Sequence, residues 1–212
     1  CNDASHRQHS TRAPGLALNP GMPSRLPAAI LLSASLLLLP ATSAREPSMR
    51  VLASFEESAN EPRWVAVNDG VMGGRSTGGP KVAGGQLEFA GELSLANNGG
   101  FASVRSVGTG FDLTGATAVV LRVRGDGRRY QLRLATDARY RGIAVSFGAG
   151  FDTTAGQWTE VRVPLDSLEA TVRGARLQGP PMDASRVREI GLLIADKREG
   201  PFALSVDWIA VE

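Results

Sequence analysis

Along most of this chain apolar residues return at every second position, the spacing of a strand with one buried face, and almost nowhere at the three-to-four spacing of a helix. The pattern runs through Leu87, Phe89, Leu93 and Leu95; Val119, Leu121 and Val123; Tyr130, Leu132 and Leu134; Ile143, Val145 and Phe147; Val161, Val163 and Leu165; and Leu204, Val206 and Trp208. Between these runs stand Gly84-Gly85, Asn98-Gly99-Gly100, Gly125-Asp126-Gly127, Gly148 to Gly150 and Gly200-Pro201. That is turn chemistry, because glycine and asparagine accept positive φ and proline fixes a bend. Many short strands so punctuated predict an all-β sandwich or barrel. One helical turn is expected at Asp183 to Arg188, capped by Asp183 or Ser185.

The run Val119–Arg124 and the run Tyr130–Thr136, joined through GDGRR, read as a β-hairpin with an apolar inward face. Its outward positions include Arg122, Arg124, Gln131 and Arg133, and Arg162 alternates outward on another strand. Two readings follow. The guanidinium groups form a platform for an anionic ligand or partner, or they are a solvated sheet face neutralised by Glu160 or Asp137.

The amino-terminal quarter sets the expected domain boundaries. Residues 22–44 read MPSRLPAAILLSASLLLLPATSA, with a positive charge at Arg25, an apolar run from Ala28 to Leu39, a breaker at Pro40 and small residues ending at Ala44. This is the layout of a secretory signal peptide, and its apolar run is shorter than the roughly 20 residues that span a bilayer. The expectation is an upstream, non-native segment at 1–21, a signal peptide at 22–44 and a single domain at 45–212. The product would be periplasmic or secreted, with no stable membrane insertion after cleavage.

Those boundaries change the available chemistry. Both histidines, His6 and His9, and the only cysteine, Cys1, precede Arg45. Their loss removes Ser-His-Asp triads, Cys-His dyads and His-ligated zinc. Carboxylate chemistry such as glycoside hydrolysis remains, but no paired constellation stands out. Of 23 Lys and Arg three lie before Arg45, and of 21 Asp and Glu one does, so 20 of each remain. A domain balanced in this way has no electrostatic reason to bind nucleic acid. No cofactor is expected, while a structural calcium held by oxygen ligands at Asn68-Asp69-Gly70 or Asp112 to Gly115 stays open.

Two stretches exceed what generic strands and turns require: WVAVNDGVMGGRS from Trp64 to Ser76, and LSLANNGGFASVR from Leu93 to Arg105. Together they resemble the signature of the NADH:ubiquinone oxidoreductase (complex I) intermediate-associated protein 30 family. The similarity continues through GDGRRYQLRL, WTEVRVPLDSL and the closing REIGLLIADKREGPFALSVDWIAVE. The resemblance implies a galactose-binding-domain-like β-sandwich of jelly-roll type, a fold shared with many carbohydrate-binding modules. It also implies a non-catalytic accessory or assembly-chaperone role with a protein partner.

Within the two stretches, Asn68, Asp69, Met72, Arg75, Ser76, Asn97, Asn98, Phe101 and Arg105 are the candidate ligand- or partner-binding residues. The amides and the carboxylate suit sugar hydroxyls or exposed backbone, the neighbouring glycines admit close approach, and Phe101 offers a ring to stack on. The competing reading makes them structural: Asn and Gly in left-handed turns, Phe101 and Trp64 in the core, Arg105 paired to Asp69. The alternative function is a carbohydrate-binding module for a cell-wall or extracellular glycan, against which stands the scarcity of aromatic side chains for stacking.

Overall fold

Two antiparallel sheets face each other across one core in the computed structural model, which describes residues 49–56, 58, 61–108, 110–179 and 181–212. All of these belong to the unit Ala44–Glu212; the segment 1–21 and the signal peptide 22–44 lie outside the described residues. The strands in chain order are β1 Arg50–Ala53, β2 Arg63–Ala66, β3 Thr77–Ala83, β4 Gln86–Leu93, β5 Ala102–Val107, β6 Ala118–Arg124 and β7 Arg129–Tyr140. There follow β8 Ile143–Asp152, β9 Trp158–Pro164, β10 Glu169–Val172, β11 Ala175–Arg176, β12 Glu189–Ile194 and β13 Gly200–Val211. One sheet runs β3-β4-β13-β6-β9, with β1 also paired to β13; the other runs β11-β10-β8-β7-β12-β5-β2. The expected jelly-roll sandwich is the observed fold.

The period-two pattern is what closes the sandwich. Leu87, Phe89, Leu121, Val123, Leu204 and Val206 point inward from one sheet and meet Tyr130, Leu132, Leu134, Ile190 and Leu192 from the other, all fully or almost fully buried. Each such side chain contributes about 1.5–3 kcal/mol by leaving water. Phe89 ties the layers together, lying edge-on to Phe202 at 4.9 Å and to Tyr130 at 6.4 Å between ring centroids. Gly84 and Gly85, both at positive φ, form the two-residue turn that joins β3 to β4 in the register Ala83↔Gln86. The helical turn is a short 3-10 segment, Ala184–Arg186, with Asp183 accepting from the Ser185 amide at its start.

Three expectations are corrected. The GDGRR segment is not a hairpin turn, since β6 pairs with β13 and β9 whereas β7 pairs with β8 and β12. It carries the chain from one sheet to the other, and Asp126 holds the corner by accepting from the Arg128 amide, the Tyr130 hydroxyl and the Ala203 amide. The predicted arginine platform is consequently divided between the two outer faces. Arg122 and Arg124 lie over Trp158 on the six-stranded sheet, at 5.9 and 5.0 Å from its centroid, and Arg162 pairs with Glu212. Arg133 stands on the opposite side of the molecule. Finally, Gly148 to Gly150 is no turn: these residues sit inside β8, paired with Leu132, Arg133 and Gln131.

Candidate binding groove

The signature segments meet at one buried carboxylate. Asp69 is fully buried, and its Oδ1 accepts from the Ser76 amide at 2.9 Å. Its Oδ2 accepts from the Ser76 hydroxyl at 2.5 Å, the Gly100 amide at 2.7 Å and the Phe101 amide at 3.2 Å. Burial pushes this carboxyl up, yet the Ser76 hydroxyl and the Gly100, Phe101 and Ser76 amides outweigh it and hold the pKa below its ordinary value. The glycines of both motifs are explained by the same group. A Cβ on Gly99 would stand 2.6 Å from Oδ2, and one on Gly74 would overlap the carboxylate. Asn68 completes the splice, donating to the Gly78 carbonyl and accepting from the Ser103 amide.

Asn68, Asp69 and Ser76 therefore hold two loops together, with Asp69 and Ser76 buried and Asn68 partly exposed. Arg105 does not pair with Asp69; it approaches Glu189 at 3.9 Å. Asn97 and Asn98 adopt left-handed φ of 56° and 58° in an exposed turn, with Asn97 donating to the Gly73 carbonyl. Arg75 is exposed. Among the described residues no three His, Cys, Asp or Glu side chains converge into a metal site.

Met72, Phe101 and Arg105 have a different position. They line a groove of about 1190 Å³ that crosses the outer face of the seven-stranded sheet. The loop that Asp69 anchors carries Val71 and Met72 to its rim, 74% and 65% exposed, where Phe101 joins them from the second motif. Val71 and Met72 are the two most exposed large apolar side chains among the described residues.

The floor of the groove comes from residues the motifs do not include. Reading across the sheet, the paired positions are Glu169, Gly148, Arg133, Gly191 and Arg105. Arginine and glycine alternate in this row, so each of the two arginine stems is paired with a position that has no side chain. The two arginines stand two strands apart, about 10 Å at the usual strand spacing. A side chain at Gly191 would crowd the Val104 carbonyl at 3.1 Å and the Arg105 and Arg133 stems at 3.6 and 3.8 Å. The neighbouring row holds Gly150, Gln131, Leu193 and Ser103. The detectable signal for this floor was glycine at alternate positions of a strand, which marks close approach of another group.

Arg133 is half-buried at the centre. Its Nε donates to the Ser146 hydroxyl and its Nη2 to the Thr171 hydroxyl, both at 2.9 Å. Arg129 instead pairs with Asp152 at 2.6 Å, and Arg176 pairs with Glu169. The two carboxylates that line the groove, Glu169 and Glu189, each lie against an arginine.

Next in sequence to the groove-lining Arg129 and Ala195, a second polar knot was not foreseen from the sequence. Arg128 donates to both oxygens of Asp196 at 2.6 and 2.9 Å, and to the Gly200, Pro201 and Arg198 carbonyls. Both side chains are over nine-tenths buried. The hydrogen bond from Arg128 is the main reason the Asp196 carboxyl is held below its ordinary range.

Comparison with known proteins agrees with this architecture. A mitochondrial complex I intermediate-associated protein 30 of Mus musculus is 27% identical over 187 residues, covering 76% of this chain and 56% of the mouse protein. The chain thus spans little more than half the length of that relative. Among solved structures, a family 11 carbohydrate-binding module of Clostridium thermocellum, in complex with a β-1,3-1,4-mixed-linked tetrasaccharide, superposes with a TM-score of 0.59 at 14% identity, covering 77% of this chain and 94% of the module. A family 11 module of a cellulosomal cellulase from the same organism gives 0.57 at 13% identity over the same shares. At such identities the likeness is one of fold. The profile of the complex I intermediate-associated protein 30 family matches residues 53–206, and the chain belongs to that family.

Proposed function

We propose that this protein is an exported, non-catalytic accessory factor that holds a segment of a protein partner in the groove of its seven-stranded sheet. The supporting observation is the groove itself: an open trough floored by alternating arginine and glycine, with Val71, Met72 and Phe101 at its rim. Family membership supports an accessory role, and the engagement of Glu169 and Glu189 with arginines argues against a free acid–base pair. Export rests on residues 22–44 and is tested by amino-terminal sequencing of the mature protein, with Arg45 expected first.

A photo-cross-linking residue at Gln131, on the groove floor, is expected to capture a discrete partner in the native envelope, while the same residue at Arg122 on the opposite face is not. Equal capture from both positions, or none from Gln131, would overturn the reading. A glycan is the competing occupant. Phe101 is the sole aromatic side chain among the lining residues, which is little stacking surface for a sugar chain. A glycan that raises the melting temperature, and loses that effect on Phe101→Ala, would replace the protein partner.

A further inference from the structure

Five arginines and two glutamates line the groove, and the arginines are not equivalent. Arg129, Arg176 and Arg105 each have a carboxylate nearby. Arg173 is exposed at the left-handed turn between β10 and β11, where water solvates it. Arg133 alone is half-buried in mid-sheet with no carboxylate within 4.0 Å among the described residues. Its hydrogen bonds to the Ser146 and Thr171 hydroxyls orient the guanidinium without neutralising it. Burial, and to a lesser degree the charge of Arg105, work against its ionised form, although an arginine remains charged at neutral pH. A partly desolvated cation held by neutral partners is costly unless an anion completes it. Gly148 and Gly191, its cross-strand neighbours, carry no side chain to cover it, and Arg133, Ser146 and Thr171 all line the open groove.

A planar guanidinium recognises a carboxylate through paired N–H donors. The rim distinguishes what carries that carboxylate. Val71, Met72 and Phe101 present an apolar surface suited to an aliphatic side chain, which a polypeptide has and an acidic polysaccharide lacks. We infer that the groove recognises an acidic segment of a partner polypeptide, one carboxylate seated on the Arg133 guanidinium and an apolar side chain resting on the Val71, Met72 and Phe101 rim. This rests on the groove being the partner-binding surface.

The test is a fluorescence-anisotropy titration of the full chain with a labelled decapeptide carrying Glu at alternate positions among Ala and one terminal Leu, beside a matched Gln peptide. The Glu peptide is expected to bind, with the affinity falling as salt rises, and the Gln peptide is not. Arg133→Gln is expected to weaken binding about tenfold or more, equivalent to about 1.4 kcal/mol. Arg122→Gln, the same charge change on the opposite face, should stay within about twofold. Ser146→Asp gives Arg133 an internal carboxylate and is expected to abolish binding while leaving the melting temperature unchanged or higher, which keeps the test valid if Arg133→Gln folds poorly. Equal losses in Arg133→Gln and Arg122→Gln, no binding of the Glu peptide, or equal competition by polygalacturonate would each overturn the inference. Cross-linking from Gln131 separates the two levels. A partner captured equally by wild type and Arg133→Gln would refute the acidic contact and leave the groove standing, whereas no capture from either would remove both.

Discussion

Replacing Asp69 by Asn changes one atom in the group that joins the two signature loops, and its cost can be worked from the hydrogen bonds. The amide oxygen can keep the Ser76 amide at the Oδ1 position, and the Ser76 hydroxyl can turn to accept instead of donate. The Gly100 and Phe101 amides have no such recourse, because they would face an NH2 group where they now meet a carboxylate oxygen. Two hydrogen bonds to a charged acceptor, at about 1.5–3 kcal/mol each, give a loss of about 3–5 kcal/mol once the longer Phe101 bond is weighted low. That is a large part of the 5–15 kcal/mol that keeps a domain folded, and lowers the melting temperature by roughly 6–20 °C. The assay is urea unfolding, with a lower midpoint and an unchanged m-value expected. Because the folded-state pKa of Asp69 is depressed, its contribution is fully present above the unfolded value of about 3.9 and is lost as pH falls through the lower folded value. The gap between wild type and Asp69→Asn should therefore be constant above about pH 5 and narrow below about pH 4. A loss under about 1 kcal/mol, or a gap that persists undiminished in acid, would refute the account of Asp69 as the splice between the loops.

Arg128→Lys is expected to destabilise by about 3–5 kcal/mol, close to the effect of Arg128→Ala, since one ammonium cannot reproduce the fork on Asp196 and the three carbonyl contacts; full stability in Arg128→Lys by chemical denaturation would contradict this. Gly91→Ala places a Cβ against the Thr77 carbonyl of the paired strand, and should cost about 1–3 kcal/mol, with hydrogen exchange accelerated over Thr77–Ala83 and unchanged in β6. EDTA should leave the melting temperature where it was, because the Asp69 oxygens are taken by amide and hydroxyl donors and Asp112 accepts from the Thr114 amide; a fall restored by calcium would show a site those bonds do not account for.

Where both faces of a strand differ in polarity, the sequence could be read directly. Tyr130, Leu132 and Leu134 lie in the core as their spacing implied, and so do Val119, Leu121 and Val123. The pattern failed at Trp208, because a β-bulge between Val206 and Trp208 shifts the phase and turns Ile209 and Val211 inward instead. It failed again at Leu95, which lies beyond β4 and is exposed. The corner at Gly125 to Arg128 misled for a different reason: a short glycine-rich link joins strands equally well within a sheet or between two, and only the pairing partners distinguish them. The signature motifs located the rim residues Met72, Phe101 and Arg105 but also marked Asn68, Asp69 and Ser76, whose polarity is used internally. Arg133 was noticed as an outward arginine, yet its isolation depends on Gly148 and Gly191 from two other strands, a relation that alternation along one strand does not contain.

β7 carries two independent texts in one segment. Tyr130, Leu132 and Leu134 are written for the opposite sheet, while Arg129, Gln131 and Arg133 line the groove. Because the pleat separates the two sets, exchanging a groove residue leaves the interior untouched. Such a division lets the lining of the groove differ while the packing between the sheets stays the same.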